Sequence, residues 1–203
     1  LQAQPDRVRD LVESTPALSI YEHYVDDVLR LTDHTRSEEV EALLADLSDV
    51  TDAAGEIYDA LSNADLTFPT VDRPDGEAVE ITMNNFTRLQ RHANRDFRQR
   101  VYEAYYDRWD DVRNAVGTSY AKSARADVRL ASARRYDSAL ESALDSSNIP
   151  VAVYDTLVDT VRDNLEPLHR HAECKREHAA IDELRMWDLY VPLVADEDYD
   201  LPY

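Results

Sequence analysis

The sequence predicts a mainly α protein with long antiparallel helices and one small β-hairpin. Apolar residues recur at intervals of three and four along most of the 203 residues, and glycine occurs only 3 times. The interval changes to alternation between residues 66 and 82, and again over residues 189–193. A hydrophobic content of 43% is enough to build one substantial domain or two small ones.

The N-terminal part reads as several short helices. Ser14 or Thr15 can cap a helix that begins at Pro16 and ends near Asp33. Thr35 and Glu38 have the spacing of a capping box, and Ser48 can begin a further helix that ends near residue 63. Such short helices bury their apolar faces only by packing on one another, so a small helical domain is expected over residues 1–65.

The alternating segment predicts a β-hairpin over residues 66–82. Leu66 and Phe68 begin the alternation, Pro74-Asp75-Gly76 is a turn sequence, and Ile81 ends the second run. Asn84 or Asn85 can then cap a short helix.

A long helix is predicted from residue 94 to about 135, where Gly117 could bend it. At 1.5 Å per residue it would span roughly 60 Å. Its predicted buried face comprises Phe97, Val101, Ala104, Tyr105, Val112, Val116 and Tyr120.

A short connection follows this helix. Asp137 or Ser138 can cap a helix over residues 139–144, and Pro150 suits the first position of a second long helix. The predicted buried face of that helix comprises Tyr154, Leu157, Val158, Val161, Leu165 and Leu168. We expect it to fold back along the first long helix, with a kink at Pro167 and a short edge strand over residues 189–193.

The charge balance excludes some partners. Acidic residues number 42 against 22 basic ones, giving a net charge of −20, which would repel nucleic acid. Because molar salt shortens the Debye length to roughly 3 Å, such a surface is typical of a halophile's protein. No apolar run predicts a membrane span, and the single cysteine, Cys174, fits a reducing cytoplasm.

The chain offers one pattern that could bind a metal. His171, Cys174 and His178 lie at i, i+3 and i+7 of a predicted helix, and imidazole and thiolate are zinc or copper ligands. Three ligands on one helix rarely surround a metal without a second element. We therefore interpret these residues as structural and assign no metal site.

The other candidates also have simpler interpretations. His23, His34 and His92 lack partners at ligand spacing, and Ser146 and Ser147 lack the glycine elbow of a serine hydrolase. Tyr102, Tyr105, Tyr106 and Trp109 could face a peptide groove, but their helical spacing favours packing. Asp107, Asp110 and Asp111 are interpreted as a solvated face.

Several segments carry a resemblance to a known family. These are LSNADLTFPTV (residues 61–71), ARRYDSALESALDSSNIPVAVYDTLVDTV (133–161), LHRH (168–171) and DELRMWDLYVPL (182–193). Taken in this order they resemble oligoendopeptidase F, a branch of the thimet-like zinc metallopeptidases. The resemblance extends from about Pro16 to Tyr203.

The resemblance implies a thimet/neurolysin-like fold and a parent enzyme that is a cytoplasmic zinc endopeptidase acting on short peptides. The family binds zinc through H-E-x-x-H, whose glutamate is the general base, and this motif is absent from the sequence. The zinc ligands are therefore expected outside this sequence, so no residue here is assigned a catalytic, cofactor-binding or metal-binding role.

The fragment alone is expected to be inactive and to form a non-catalytic wall of the substrate channel. The expected divisions are an N-terminal helical domain (1–65), a hairpin linker (66–82) and the first part of the peptidase domain (83–203). The alternative is a stand-alone helical module that binds peptides or proteins without catalysis. The sequence does not specify an oligomeric state.

Overall fold

The computed structural model describes residues 4–193, which divide into two compact units. One unit contains residues 4–56 and Ser119–Val158, and the other contains Ile57–Thr118 and residues 159–193. The predicted mainly α fold with one small hairpin is confirmed. None of the described helices combines the length and the apolar character that a membrane crossing requires.

The N-terminal helices are shorter than the sequence suggested. They are α1 (Pro5–Ser14), α2 (Glu22–Arg30), α3 (Glu38–Asp46) and α4 (Ser48–Ala60), with 3-10 turns at Pro16–Tyr21 and Leu31–His34 on either side of α2. The single helix predicted from Pro16 is therefore divided into three pieces. Val25 and Leu29, one turn apart on α2, are its buried residues.

The predicted capping box before α3 is wrong. Ser37 occupies the N-cap position of α3, and the Thr35 hydroxyl instead donates to the carbonyl of Leu31. The Glu41 carboxylate accepts the backbone N–H of Arg36 at 2.8 Å. The carboxylate of Glu41 thus has the role that the sequence predicted for Glu38, which is to accept a backbone N–H at the start of α3.

The hairpin has shorter strands than predicted, β1 (Thr70–Asp72) and β2 (Ala78–Glu80), which pair antiparallel with Val71 opposite Val79. Gly76 turns the chain with φ 88°, a conformation that favours glycine. Leu66, Phe68 and Ile81 flank the strands and enter the core of the second unit. That core also contains Phe86 and Leu89 from α5 (Phe86–Leu89), and Phe97 and Val101.

Helix α6 (Arg95–Ala133) contains 39 residues and continues through Gly117. The Asn94 side chain accepts the N–H of Phe97 at 2.8 Å and so caps its first turn. Phe97 and Val101 are fully buried, as predicted, but Tyr120 is 77% exposed. One residue away, Ser119 is buried and donates its hydroxyl to the carbonyl of Ala54.

The connection after α6 agrees with the sequence more closely. Helix α7 (Ala139–Asp145) is capped by Ser138, whose hydroxyl accepts the N–H of Glu141 at 3.0 Å. Arg135 reaches φ 65° where α6 ends. The backbone N–H of Asp137 then donates to the Glu141 carboxylate at 2.7 Å, which completes the turn between the two helices.

The second long helix is two helices, α8 (Val151–Asp163) and α9 (Glu166–His178). Pro167 lies in the first turn of α9, where its missing N–H costs no hydrogen bond, so the expected kink is a break between helices. The predicted burial of α8 is also wrong, because Leu157 is 60% and Val161 53% exposed. Residues 189–193 form no strand, and a 3-10 turn at Met186–Asp188 precedes them.

Candidate functional site

A buried polar network in the second unit surrounds Asp188. This carboxylate is buried and accepts from Arg98 at 2.7 Å and from Arg95 at 2.9 Å, both on the first turn of α6. It also accepts the backbone N–H of Arg185 at 3.0 Å. Burial by itself would raise the pKa of Asp188, but the hydrogen bonds from Arg95, Arg185 and Arg98 together lower it.

Arg98 joins two other segments of chain to the start of α6. Its guanidinium donates to the carbonyls of Trp187 at 2.8 Å, His92 at 2.8 Å and Ala93 at 3.0 Å. The side chain of the buried Gln90 donates to the carbonyl of Arg98 at 2.9 Å. Because its donors are already used by the protein, Arg98 positions the chain and is not available to a ligand.

Two clefts with cationic linings lie in the same unit and share Arg91. The larger, of about 420 Å³, is lined by Thr87, Arg91, His171, Lys175 and residues 189–193. The smaller, of about 270 Å³, is lined by Arg73, Arg88, Leu89, Arg91, His92 and Phe97. Among residues 4–193, the residues that line the two clefts include no aspartate or glutamate. Their chemistry suits an anionic group, such as a peptide carboxylate.

Lys175 shapes the larger cleft. Its ammonium group donates to the carbonyls of Leu189 and Val191, the latter at 2.9 Å. These bonds hold residues 189–193 against α9 without a β-ladder. The lysine therefore supplies both positive charge and the position of one cleft wall.

A third cleft lies beside the hairpin. It has a volume of about 300 Å³ and is lined by Ser62, Asn63, residues 66–68 and residues 80–84. Residues 66–68 are irregular, Glu80 ends β2, and residues 83 and 84 lie in a turn. The lining presents both polar and apolar groups.

The tyrosines of α6 are mainly packing residues, as the sequence favoured. Tyr105 stacks on Phe68 with ring centroids 4.6 Å apart and on Phe86 at 4.1 Å. Tyr106 and Tyr120 of the same helix are more exposed, at 44% and 77%. Partial burial, followed by the nearby Tyr102, raises the pKa of Tyr106, so its hydroxyl stays protonated.

The candidate metal residues do not come together. His171, Cys174 and His178 are exposed on α9. Within residues 4–193, no three histidine, cysteine, aspartate or glutamate side chains are placed to hold a metal ion. Among the described residues, no ligand from a second element therefore joins these three side chains.

Comparisons with known proteins show the family to which this chain belongs. A family model described as Oligopeptidase F matches residues 1–68, and the model of Peptidase family M3 matches residues 88–202. The chain belongs to peptidase family M3. The second match alone covers more than half of the 203 residues.

The M3 relatives resemble the whole chain but are much longer. Oligopeptidase PepF of Bacillus subtilis is 32% identical over 203 residues, which is 100% of this chain and 30% of the relative. Group B oligopeptidase PepB of Streptococcus agalactiae is 34% identical over 95% of this chain and 32% of its own length. The crystal structure of oligoendopeptidase-F from Enterococcus faecium matches with a TM-score of 0.87 and 32% identity, covering 94% of this chain and 38% of that one. The chain thus spans about a third of the proteins it matches.

A second polar network of this M3 chain lies in the first unit, and the sequence did not reveal it. The Tyr136 hydroxyl donates to Asp145 at 2.7 Å, and Arg30 pairs with the same carboxylate. Burial, reinforced by the bond to Asp145, raises the pKa of Tyr136 to about 12. The ring of Tyr136 stacks on His34 with centroids 3.6 Å apart, and His34 is half-buried.

The pairing of Arg95 and Arg98 with Asp188 could not be read from the sequence either. The side chains pair across about 90 residues of sequence, and charged residues on a helix are ordinarily solvated. The available signal was weak: two arginines at i and i+3 at the start of a helix, where the macrodipole favours acidic residues instead.

Proposed function

We propose that this chain is a non-catalytic part of a zinc-dependent oligoendopeptidase that hydrolyses short peptides, and that it forms part of the wall of the substrate channel. The observation that carries the proposal is the match to both family models in chain order, with 32% identity to an oligopeptidase over all 203 residues. A helical scaffold with peptide-sized clefts is consistent with that role.

The residues of this chain do not fit the family's zinc. The sequence contains no H-E-x-x-H, and residues 4–193 bring no three potential ligands together. When bound in such enzymes, zinc polarises the scissile carbonyl and activates a water molecule. In this proposal those ligands lie in another part of the parent protein, and this chain contributes shape and charge.

The cationic clefts support a peptide-binding role in the parent. A peptide ends in a carboxylate, and Arg91, His171 and Lys175 are among the residues that line one cleft. The hairpin cleft offers polar and apolar groups for the rest of a short peptide. We keep the division into 1–65, 66–82 and 83–203 as part of the proposal, with the hairpin as the link between the two helical parts, and we place the parent enzyme in the cytoplasm.

The test is to read the gene downstream of the codon for Tyr203 and to assay the product of the complete reading frame. We expect the frame to encode H-E-x-x-H and its product to cleave a quenched fluorescent peptide. Chelation should abolish cleavage and zinc should restore it. A stop codon directly after Tyr203 would contradict the proposal and favour a stand-alone binding module.

A further inference from the structure

The smaller cationic cleft concentrates positive charge in a chain that is strongly acidic overall. Three of the six described residues that line it are arginines, Arg73, Arg88 and Arg91. Arg73 follows β1, Arg88 lies on α5 and Arg91 lies in the turn after α5, so all three belong to the second unit. Because a net charge of −20 repels anions from the molecule as a whole, this cleft differs in charge from the average surface.

The guanidinium groups of Arg73 and Arg88 keep donors for a ligand. No other described residue forms a hydrogen bond or an ion pair with the side chain of Arg88. Arg73 pairs with Glu77 at 4.0 Å, and the Glu77 side chain is 77% exposed. Such a long surface pair contributes little, and it leaves most N–H donors of Arg73 open.

His92 adds a donor whose position is fixed by its neighbours. Its Nδ1 accepts the backbone N–H of Asn94 at 3.0 Å, which places the proton of the neutral ring on Nε2. The ring packs edge-on against Phe97 with centroids 4.8 Å apart, and the His92 carbonyl accepts from Arg98 at 2.8 Å. The ring and the backbone of His92 are therefore both held, and Nε2–H is the donor that the ring can offer in the cleft.

The size and chemistry of the cleft indicate the ligand. Its volume of about 270 Å³ lies below the roughly 300–1,000 Å³ of pockets for drug-sized molecules, and Leu89 and Phe97 supply its apolar lining. Guanidinium groups bind the oxygens of phosphate and carboxylate in pairs. A phosphate carries more negative charge than a carboxylate and presents more oxygens, so it can use several guanidinium groups and an imidazole N–H together.

We propose that the smaller cleft binds inorganic phosphate, with Arg73, Arg88 and His92 donating to its oxygens and Arg91 adding positive charge. Because these residues lie at the end of β1, on α5 and in the turn before α6, bound phosphate joins the hairpin to the start of α6 and stabilises the second unit. The proposal goes beyond the proposed function, which uses the larger cleft for a peptide carboxylate. It needs no part of the parent outside this chain, so either proposal can fail while the other stands.

The experiment is equilibrium dialysis of the 203-residue chain against radiolabelled inorganic phosphate, with the ionic strength held constant by sodium chloride. We expect saturable binding of one phosphate per chain. Sulfate, which has the same tetrahedral shape, should displace the phosphate. Acetate at the same concentration should displace much less, because it has one charge and only two oxygens.

Single substitutions test which residues bind the anion. Arg88→Gln and Arg73→Gln should each weaken the affinity for phosphate about tenfold, because each removes a charge-assisted hydrogen bond. Arg113→Gln is the matched control, since Arg113 belongs to the same unit, is 71% exposed and loses the same charge. His171→Gln is the second control, because exposed His171 lines the larger cleft. Both controls should bind phosphate like the wild type, and all variants should keep the wild-type circular dichroism signal.

Four results would overturn the proposal. The first is the absence of saturable binding. The second is an equal affinity in Arg88→Gln, Arg73→Gln and Arg113→Gln, because binding would then follow net charge and not this cleft. The third is weaker binding in His171→Gln but not in Arg88→Gln, which would assign the anion to the larger cleft. The fourth is displacement by acetate as effective as that by sulfate, which would indicate a carboxylate site.

Discussion

Asp188 and its two arginines form a buried charged network in the second unit. The Asp188 side chain is 1% exposed and that of Arg98 is 4% exposed, so neither charge is solvated when its partner is lost. Removing one partner from a buried ion pair typically costs about 3–5 kcal/mol, since the other charge stays buried and uncompensated.

Asp188→Asn should therefore lower the free energy of unfolding by about 3 kcal/mol or more, measured by urea denaturation at neutral pH. Asp110→Asn is the matched control, because Asp110 pairs with Arg113 on the exposed surface at 3.1 Å. Surface pairs contribute about 0–1 kcal/mol. Equal effects of the two substitutions would contradict the buried role of Asp188.

The same carboxylate makes stability depend on acid pH. Its pKa is lower in the folded chain than in the unfolded chain, so its contribution is present above the unfolded value, roughly 3.9, and is lost as the pH falls through the folded value. Tyr136 makes stability depend on alkaline pH. Its folded pKa of about 12 exceeds the usual value of 10.0, so its contribution is present below pH 10 and is lost towards pH 12.

Tyr136→Phe tests this alkaline effect. The wild-type chain should lose stability between about pH 10 and pH 12, and the variant should lose less over that interval, because phenylalanine has no proton to release. Thermal melts across the interval measure the difference. Tyr120→Phe, at a residue 77% exposed, is the control and should follow the wild type. Identical slopes for all three proteins would show that Tyr136 is not perturbed.

At the scale of elements, the sequence predicted local features well. The helix capped at Ser138, the restart at Ser48 and the turn at Gly76 all depend on neighbouring residues. The sequence failed where distant contacts decide. It could not show that Ser119 and not Tyr120 faces inward, nor that α8 leaves Leu157 exposed, because periodicity identifies an apolar face without showing what covers it.

The α7 cap gives an element-scale prediction. Ser138→Ala removes the acceptor for the Glu141 N–H and should cost about 1 kcal/mol of unfolding free energy. Ser146→Ala is the control at the other end of the helix, where the hydroxyl only donates to the carbonyl of Ala143 on the exposed surface. A larger loss for Ser146→Ala would contradict the assigned cap.

At the scale of the whole molecule, the charge pattern remains the main prediction from composition. With a net charge of −20, repulsion within the folded chain should be screened as salt rises. We expect the helical circular dichroism signal and the melting midpoint to rise between tens of millimolar and molar salt. A signal and midpoint that do not change over that range would remove the argument for adaptation to high salt.

The candidate site was predicted less completely than the fold. The family resemblance could be recognised from ordered segments, and the absence of H-E-x-x-H could be read directly. The clefts could not be predicted from the sequence, because Arg91 and Lys175 lie 84 positions apart. Only in the folded chain do both residues line the same cleft. Binding surfaces of this kind arise from tertiary structure, so the spacing of residues along the sequence does not predict them.

The most direct test of the central claim is a peptide-cleavage assay on the isolated 203-residue chain. The chain is incubated with a quenched fluorescent peptide, with and without added zinc, beside the product of the complete reading frame. We predict no zinc-dependent cleavage by the chain, because its sequence contains no H-E-x-x-H, and we predict cleavage by the longer product. Cleavage by the isolated chain that chelator abolishes and zinc restores would contradict the account.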